Sequence, residues 1–578
     1  MRRFSVLHLL AWLALGSCWV IPFLVAPHTY PIPTFYSEWV AAACWIALGV
    51  AVLGATWGRA IGLPRVALAP LALVAVLIVQ LAIAPPLNPF FSSGAIAALL
   101  AAAVICGLGA RCRDLPGVLD AIAVAVTVGG LLTVAIELLQ LFRVPNLPEA
   151  FFSMTPTGGA RRMWGNLNQP NHVGSYLAFG LAACLFLGNR HRKWLGLLMV
   201  AVLTLLFGMA LTFSRVTWIH IAVVGLLAGM PLAAETRGRA WSVRLLALCG
   251  PVVLLALTYQ ACGSVVALAN GAWNLDLPGS MGQRMQEGVG LRPLLWKHAW
   301  HIFLSHPWLG GGWGDYAWNQ YVQTDTVGPV EMSMNAHNIV LDLLAKVGVA
   351  GLLAVLIPLA WWALGLLKRL RSPDVAFLCA VVAVMVVHSL LEYPLHYVFF
   401  LFPFAFVLGL LDSKTLRFPS PSIAWVFSGV IVVLGGVLLV RLWADYRSVE
   451  RLYFVPGARS ASAGHLDGGP VLLAPYATLV VAMNASVNEQ TAPLLVKLER
   501  QAVQFYPASA TIQRYALALA FEGKNEEAVV QIRRLHSHYW TDFSAQSLLL
   551  SQTCQRNFSS LKTFCSSLKS EKLLANAD

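Results

Sequence analysis

Polar side chains crowd one short segment of an otherwise apolar chain. From Trp164 to His172 the sequence reads WGNLNQPNH, and an apolar run follows directly. Asn and Gln offer hydrogen-bond donors and acceptors in a fixed geometry, which suits sugar hydroxyls or phosphate oxygens. Pro170 suits the first position of a helix, because its missing N–H would be unpaired there. Asn and Pro are also ordinary loop residues, so an elaborate helix cap is the alternative. The density of polar side chains favours a binding site, with Asn168, Gln169 and His172 as candidates.

Two arginines are the next candidates. Arg215 lies between two apolar runs with almost no linker, where a charge is costly unless it is paired or near water. Arg292 precedes Pro293, which predicts a helix that starts at Pro293 with Arg292 at its cap. A helix N-terminus beside an arginine is a good anion site, and Arg can bind phosphate in a bidentate manner. We therefore predict an anionic, phosphate-type ligand. The alternative for Arg215 is that its side chain extends to the lipid headgroups.

A histidine is the candidate base. His337 lies between Asn335 and Asn338 at the end of a polar stretch, just before an apolar run. An imidazole with an ordinary pKa of about 6.5 can take a proton from a hydroxyl at neutral pH. Glu392 and Tyr393 lie in another short polar segment, where the sequence favours structural and functional roles equally.

No metal or cofactor is predicted. Carboxylates that would accompany His298, His301 and His306 as metal ligands are missing, and no Cys/His metal spacing occurs. Cys554 and Cys565 lie in the polar tail and could form a disulfide if the tail is outside the cytoplasm, which the sequence leaves open.

The composition indicates that these residues are positioned by helices that span a membrane. Of 578 residues, 58% are hydrophobic and 11% are charged, whereas soluble domains carry about 25% charged residues. The net charge of +13 does not indicate nucleic-acid binding, because most arginines lie in short clusters between apolar runs. A spanning helix needs roughly 20 apolar residues, which predicts an all-α polytopic membrane protein of about 12–13 transmembrane helices. The candidate spans lie near residues 6–26, 39–57, 66–84, 95–110, 117–141, 173–188, 194–213, 216–234, 243–262, 338–367, 375–391, 397–412 and 423–442.

Loop charges predict the orientation. Clusters of Lys and Arg occur on every second loop, whereas the alternate loops 27–38, 85–94 and 392–396 carry none. By the positive-inside rule the N-terminus is cytoplasmic, and an odd helix count places the tail on the outside. We therefore predict a membrane domain over 1–442 with outer loops at about 142–172 and 263–337. A helical outer domain follows over 443–578, in which residues 506–528 resemble a tetratricopeptide-type hairpin.

Several cations break the positive-inside rule, and an anionic ligand would explain their position. The cations predicted on the outer side ahead of the tail are Arg143, Arg161, Arg162, Arg215, Arg284, Arg292 and Lys297.

The order of these motifs resembles the O-antigen ligase and polymerase superfamily. The motifs are Gly165–His172, Thr212–Arg215, Arg292 with Trp296, His306–Gly310 and Ala336–Asn338. The Asn-Gln-Pro-Asn-His segment and the long polar tail are most similar to the protein-glycosylating branch, the bacterial pilin-type O-oligosaccharyltransferases. The resemblance covers about 150–410 well and the tail loosely.

The resemblance implies a mechanism and partners. The donor would be an undecaprenyl-pyrophosphate-linked glycan taken from the bilayer, and the acceptor a protein such as a pilin at the periplasmic face of the bacterial inner membrane. Arg215 and Arg292 would bind the pyrophosphate without a metal, and His337 would be the general base for a single displacement with inversion. The tail hairpin would meet the acceptor protein. Residues that would orient donor or acceptor are Asn168, Gln169, His172 and Tyr393, and possible electrostatic guides are Arg161, Arg162 and Arg284.

Four alternatives remain. Within the superfamily, the acceptor could be lipid A-core, as for an O-antigen ligase, or another repeat unit, as for a polymerase. A transporter of an anionic substrate would place its charges near the bilayer midplane, whereas these candidates cluster at one face. A purely structural membrane protein would leave the outer arginines unexplained.

Overall fold

The architecture is almost entirely helical. A computed structural model describes residues 6–56, 62–157, 160–279, 290–367, 369–417, 420–455, 470–557 and 559–575. Strands β1 (Gly62–Pro64) and β2 (Thr415–Arg417) pair antiparallel, with Leu63 opposite Leu416. Within the ranges described, helices make up the rest of the regular structure.

The helices divide into those that precede the tail and those of the tail. The first set is α1 (Val6–Leu24), α2 (Phe35–Ala55), α3 (Leu68–Ile83), α4 (Pro89–Cys112), α5 (Val118–Leu141), α6 (Pro170–Arg190), α7 (Leu195–Leu211), α8 (Val216–Glu235), α9 (Trp241–Trp273), α10 (Arg292–Ser305), α11 (Tyr316–Val322), α12 (Thr324–Val327), α13 (Ile339–Leu364), α14 (Pro373–Ser389), α15 (Val398–Leu411) and α16 (Pro421–Phe454). The tail set is α17 (Ala474–Asn484), α18 (Ala492–Phe505), α19 (Ser509–Phe521), α20 (Asn525–His538), α21 (Phe543–Arg556) and α22 (Lys562–Ser570).

The predicted fold class is confirmed. Among the described residues, 11 helices are long and apolar enough to cross a membrane, and α14 and α15 are shorter apolar helices. Together they correspond to the thirteen spans predicted from the sequence. The chain is therefore an all-α, multi-pass membrane protein.

The chain divides into two compact units. Unit 1 comprises Met1–Ala72, Ala98–Gly288 and Val355–Leu439, and unit 2 comprises Leu73–Ala97, Val289–Ala354 and Val440–Asp578. Unit 1 contains a large apolar core around α6, and most residues of this helix are buried. The sequence allows this burial because α6 carries small residues, which let neighbouring helices approach closely.

Helix α13 is broken at Gly348, in the part of the helix that belongs to unit 2. This residue has φ 63° and ψ −165° inside an otherwise continuous helix, and a break in a membrane span leaves backbone groups that need other partners. A glycine-rich turn supplies them: Val349 donates to the Pro307 carbonyl at 2.9 Å, and Gly311 donates to the Ala345 carbonyl at 2.8 Å. This turn, over residues 307–314, therefore holds the broken helix together.

One predicted helix boundary is wrong by one residue. The sequence predicted a helix that starts at Pro293 with Arg292 at the cap. Instead α10 begins at Arg292, with Leu291 at the cap and Pro293 in the first turn. Proline is tolerated throughout that turn, because the first N–H groups of a helix have no partner within it.

Replacing Gly348 by alanine should destabilise the protein. A Cβ at this position would lie 2.4 Å from the carbonyl carbon and oxygen of Trp308, and the backbone conformation itself costs a residue other than glycine about 1–3 kcal/mol. We expect Gly348→Ala to lower the melting temperature of the detergent-solubilised protein by several degrees. Gly263→Ala is the control, because nothing lies within 4 Å of a Cβ there. Equal melting temperatures for the two variants would contradict this packing.

Candidate functional site

The predicted site residues fall into two groups, one in each unit. Unit 1 holds seven of them: Arg161, Arg162, Asn168, Gln169, His172, Arg215 and Tyr393. Unit 2 holds Arg292 and His337. Arg284 lies outside the described residues.

Asn171 is the centre of a hydrogen-bonded network in unit 1. Its Oδ1 accepts from the Ser214 hydroxyl at 2.7 Å and from the Arg162 guanidinium at 3.3 Å. Its Nδ2 donates to Oε1 of Glu392 at 3.1 Å. One amide thus connects the start of α6, the turn between α7 and α8, and the segment between α14 and α15. The amide is suited to this position because it donates to a carboxylate while it accepts from a hydroxyl and a guanidinium.

This network positions the turn that carries Arg215. Arg162 donates through Nε to the Thr212 carbonyl at 2.8 Å, and the hydroxyl of Thr212 accepts from the Ser214 N–H at 3.2 Å. Phe213 between them has a positive φ of 47°, which a residue other than glycine rarely adopts. Arg215 follows directly, half-buried, at the N-cap of α8. Hydrogen bonds from Arg162, to Asn171 and within the turn itself therefore fix the turn. They also fix the backbone position of Arg215, which follows Ser214.

Three predicted residues surround the start of α6 and differ in environment. Gln169 caps the helix, because its Oε1 accepts from the His172 N–H at 2.7 Å. Asn168 is exposed and has a left-handed backbone with φ 54°. His172 is buried, with its ring edge-on to Tyr397 at 5.1 Å and Phe400 at 5.3 Å. Of the three, Asn168 has the side chain most accessible to a ligand.

Arg161 has the contacts of a structural residue. It is 3% exposed, and its guanidinium donates to the carbonyls of Gln140 and Leu141 at 3.4 Å and to the Leu275 carbonyl at 2.5 Å. Carbonyls at the C-terminal end of a helix attract cations. Arg161 therefore closes the end of α5, and this geometry favours a capping role over the predicted role as an electrostatic guide.

Glu392 and Tyr393 differ in burial. Glu392 is 7% exposed, and its backbone N–H donates to the His388 carbonyl at 2.8 Å. The half-buried ring of Tyr393 lies 5.8 Å from that of Tyr397. Glu392 is thus a partner of Asn171 in the network, and the neighbouring Tyr393 remains the candidate for ligand contact.

In unit 2, His337 is fixed by its two neighbours. The Ala336 N–H donates to Oδ1 of Asp342 at 2.8 Å, and Oδ1 of Asn338 accepts from the Val340 and Leu341 N–H groups at 3.0 and 3.1 Å. His337 itself has a left-handed backbone with φ 54° and is half-buried. The loop thus presents the imidazole from a constrained backbone at the start of α13.

A buried ion pair lies beneath this loop. The Lys346 ammonium lies 2.9 Å from Oδ2 of Asp342 and 2.5 Å from Oδ1 of Asn335, and both charged side chains are at most 3% exposed. A buried charge persists only when it is paired and hydrogen-bonded. The sequence signal for this pair is an Asp and a Lys four residues apart in an otherwise apolar helix.

Helix α10 places Arg292 and Trp296 one turn apart. Arg292 is half-buried, and the indole N–H of Trp296 is buried with no hydrogen-bond partner among the described residues. His298 on the same helix is bound to Gly328 O at 2.9 Å and to Gln323 at 3.0 Å. In the described part of the chain, no three His, Cys, Asp or Glu side chains lie where they could hold a metal ion.

Sequence comparisons identify relatives over the same regions. A family model described as O-antigen ligase matches residues 200–356, and one described as protein glycosylation ligase matches residues 163–187. A model of the C-terminal part of a virulence factor membrane-bound polymerase matches residues 376–552. A general O-oligosaccharyltransferase of Acinetobacter baylyi is 25% identical over 94% of this chain and 94% of its own length. A ComP-specific O-oligosaccharyltransferase of the same organism is 25% identical over 44% of this chain and 45% of its own length. These matches confirm the resemblance that the motifs predicted.

Exchanging the groups of the Asn171–Glu392 hydrogen bond tests the network. In Asn171→Asp alone, two carboxylates face each other, which we expect to destabilise the protein by about 1–3 kcal/mol. Adding Glu392→Gln restores every bond, because the new carboxylate accepts from Ser214, from Arg162 and from the new amide. The melting temperature should fall in the single variant and recover in the double variant. A double variant no more stable than Asn171→Asp would argue against the network.

Acid should lower the stability of the protein through protonation of His298 on α10. Burial, with smaller contributions from the nearby His538, Lys297 and His301, lowers the pKa of His298 to about 4. Because the unfolded chain takes up this proton near pH 6.5, the contribution of His298 to stability is complete above that pH and is lost as the pH falls toward 4. The melting temperature should fall more between pH 7.5 and 5 in the unsubstituted protein than in His298→Gln. Identical pH dependence would show that His298 does not carry the effect.

Proposed function

We propose that this multi-pass membrane protein, which resembles the protein-glycosylating branch of the O-antigen ligase superfamily, transfers an oligosaccharide from undecaprenyl pyrophosphate to Ser or Thr hydroxyls of proteins. The observation that carries the proposal is the similarity to a general O-oligosaccharyltransferase over 94% of the chain, combined with the rigid placement of the motif residues. Transfer would take place at the periplasmic face of the bacterial inner membrane.

Two guanidinium groups bind the leaving group in this proposal. Arg215 and Arg292 form bidentate hydrogen bonds to the diphosphate, a geometry that the planar guanidinium provides and an ammonium does not. Negative charge grows on the phosphate oxygen as the bond to the sugar breaks, and fixed cations stabilise it without reorganisation. The hydrogen bonds that fix Ser214, next to Arg215, supply that rigidity.

His337 activates the acceptor. Its imidazole takes the proton of the Ser or Thr hydroxyl while the hydroxyl oxygen attacks the anomeric carbon. The bond between that carbon and the phosphate oxygen breaks, and undecaprenyl pyrophosphate leaves. A single displacement of this kind inverts the anomeric configuration.

The remaining motif residues divide by accessibility. Asn168 and Tyr393 contact donor or acceptor directly, because their side chains are exposed or half-buried. Gln169 and His172 act through the start of α6. Arg162 and Arg284 attract the anionic donor electrostatically, whereas Arg161 caps the C-terminal end of α5.

The tail lies outside the cytoplasm in this proposal. Lys and Arg clusters on alternate loops support a cytoplasmic N-terminus. Cys554 and Cys565 form a disulfide in the tail, and disulfides persist in oxidising compartments such as the periplasm. Both observations agree with acceptors that reach the protein from the periplasm.

Matches to two families whose descriptions give other activities support a second candidate function. The O-antigen ligase model over 200–356 and the polymerase model over 376–552 fit an enzyme with the same donor and another acceptor. That acceptor would be lipid A-core or a growing glycan chain.

Co-expression distinguishes these acceptors. The protein would be produced in a Gram-negative host that makes a lipid-linked glycan and a pilin-like protein and lacks its own ligase. Mass spectrometry should find the glycan on Ser or Thr of the pilin. Glycan on lipid A-core, longer glycan chains, or no transfer at all would contradict the proposed acceptor.

Two substitutions test the chemistry in the same assay. His337→Ala should reduce transfer by at least about 100-fold, the range of general-base contributions, and should leave the amount of membrane protein unchanged. Arg215→Lys should be strongly impaired, because a point charge does not reproduce the bidentate contact. Arg533→Ala in the tail is the control for expression. Full activity of His337→Ala would show that this residue is not the general base. Full activity of Arg215→Lys would favour the alternative in which the side chain of residue 215 extends to the lipid headgroups.

A further inference from the structure

We infer that tail helix α20 holds the loop that leads to His337 in place, so that the tail is a positioning element rather than an open groove for the acceptor. The loop spans residues 315–337, and the loop and the tail both belong to unit 2. The catalytic consequence rests on the proposed function, whereas the structural claim does not.

The loop contributes to the apolar core of the tail. Tyr321 on α11 is fully buried in one cluster with Val503, Ile512 and Leu519 of the tail helices. The partly buried loop residues packed against the same cluster are Trp318, Val322 and Met332. Full burial of an aromatic side chain is a large stabilising contribution. The face of the tail hairpin that covers Tyr321 is therefore occupied by the chain itself.

Polar contacts surround this apolar anchor. The Tyr321 hydroxyl donates to Oε1 of Gln531 at 2.6 Å. Arg534 binds Oδ2 of Asp325 through Nη2 at 2.6 Å and through Nε at 3.0 Å. Its guanidinium also lies 5.3 Å from the centre of the Tyr321 ring, within the range of a cation–π contact. Helix α20 thus binds α11 and α12 through three different kinds of interaction.

His538, at the end of α20, joins two points of the loop. Its Nε2 lies 2.6 Å from the Thr324 hydroxyl, and its Nδ1 lies 2.7 Å from the Val330 carbonyl. Burial lowers the pKa of His538, so the ring is neutral and cannot donate from both nitrogens. Nδ1–H therefore donates to Val330 and Nε2 accepts from Thr324. One imidazole thus binds both the start of α12 and the segment that follows this helix.

The contacts continue from α11 to the histidine loop. Gln320 is fully buried, its Nε2 donates to the Glu331 carbonyl at 2.8 Å, and its Oε1 accepts from the Ser333 N–H at 3.3 Å. The Ser333 hydroxyl donates to the Asn335 carbonyl at 2.7 Å. Asn335 in turn accepts from Lys346. Gln320, the neighbour of the anchored Tyr321, is thus linked through Ser333 to Asn335, two residues before His337.

Adjacent arginines on α20 provide a matched pair of variants. Arg534 binds Asp325 of the loop, whereas Arg533 binds Glu571 within the tail at 2.6 and 2.8 Å. Arg534→Ala and, from the loop side, Asp325→Asn remove the contact between tail and loop. Arg533→Ala removes a similar ion pair that does not involve the loop.

Hydrogen exchange of the full-length protein in lipid nanodiscs measures the structural claim without any substrate. We expect amides of residues 322–333 to exchange roughly 2–5 times faster in Arg534→Ala and Asp325→Asn, as loss of a partly exposed ion pair implies. His538→Ala should accelerate exchange there on the order of tenfold, because it removes two buried hydrogen bonds. Arg533→Ala should leave this segment unchanged. Equal exchange of the loop in Arg534→Ala, Asp325→Asn and Arg533→Ala would overturn the inference.

Steady-state transfer to a pilin-like protein and to a short acceptor peptide measures the catalytic consequence. We expect kcat to fall by a similar factor for both acceptors in Arg534→Ala and Asp325→Asn, with KM unchanged. A rise in KM for the protein acceptor alone would overturn the inference in favour of acceptor docking. If the proposed function itself is wrong, the unsubstituted protein will transfer no glycan. The hydrogen-exchange result will then be unaffected.

Discussion

The cost of burying a polar group without a partner governs how this protein presents its candidate site. Such a group costs about 1–3 kcal/mol in a folded protein, and an apolar bundle offers few partners. The buried Ser214 and Glu392 meet this constraint by bonding to the half-buried Asn171, which also accepts from Arg162. The same constraint pairs Lys346 with Asp342 beneath the His337 loop. Groups that satisfy one another also become rigid, and rigid donors are what charge stabilisation in a transition state requires.

The arginines of this protein lie in different environments. Arg161 is buried against carbonyls at the end of α5, and Arg534 crosses from the tail to the loop. Arg215 and Arg292 are half-buried at the N-terminal ends of helices, where the helix dipole also favours an anion. In the proposed function, Arg161 and Arg534 hold the fold, whereas Arg215 and Arg292 bind the diphosphate.

The sequence predicted the membrane spans because their length and apolar character are local properties. It also predicted Arg215, His337 and the polar segment before α6 as candidates, because polar residues at the ends of apolar runs stand out. It did not predict the central role of Asn171, whose partners Ser214 and Glu392 lie 43 and 221 residues further along the chain. The break at Gly348 was missed for the same reason, since its partners come from a turn about Pro307. The contacts of Arg161 were not predicted either, because its partners are backbone carbonyls, which leave no trace in a side-chain pattern.

The central proposal is that Arg215, Arg292 and His337 act on one diphosphate-linked substrate. The most direct test is an electron cryomicroscopy structure of the protein in lipid nanodiscs with bound undecaprenyl pyrophosphate, in which the distances from the phosphate oxygens to the two guanidinium groups are measured. We predict that both guanidinium groups lie within hydrogen-bonding distance of the diphosphate and that the His337 ring faces the same cavity. A diphosphate bound away from either arginine, or a His337 ring that faces a different cavity, would contradict the account.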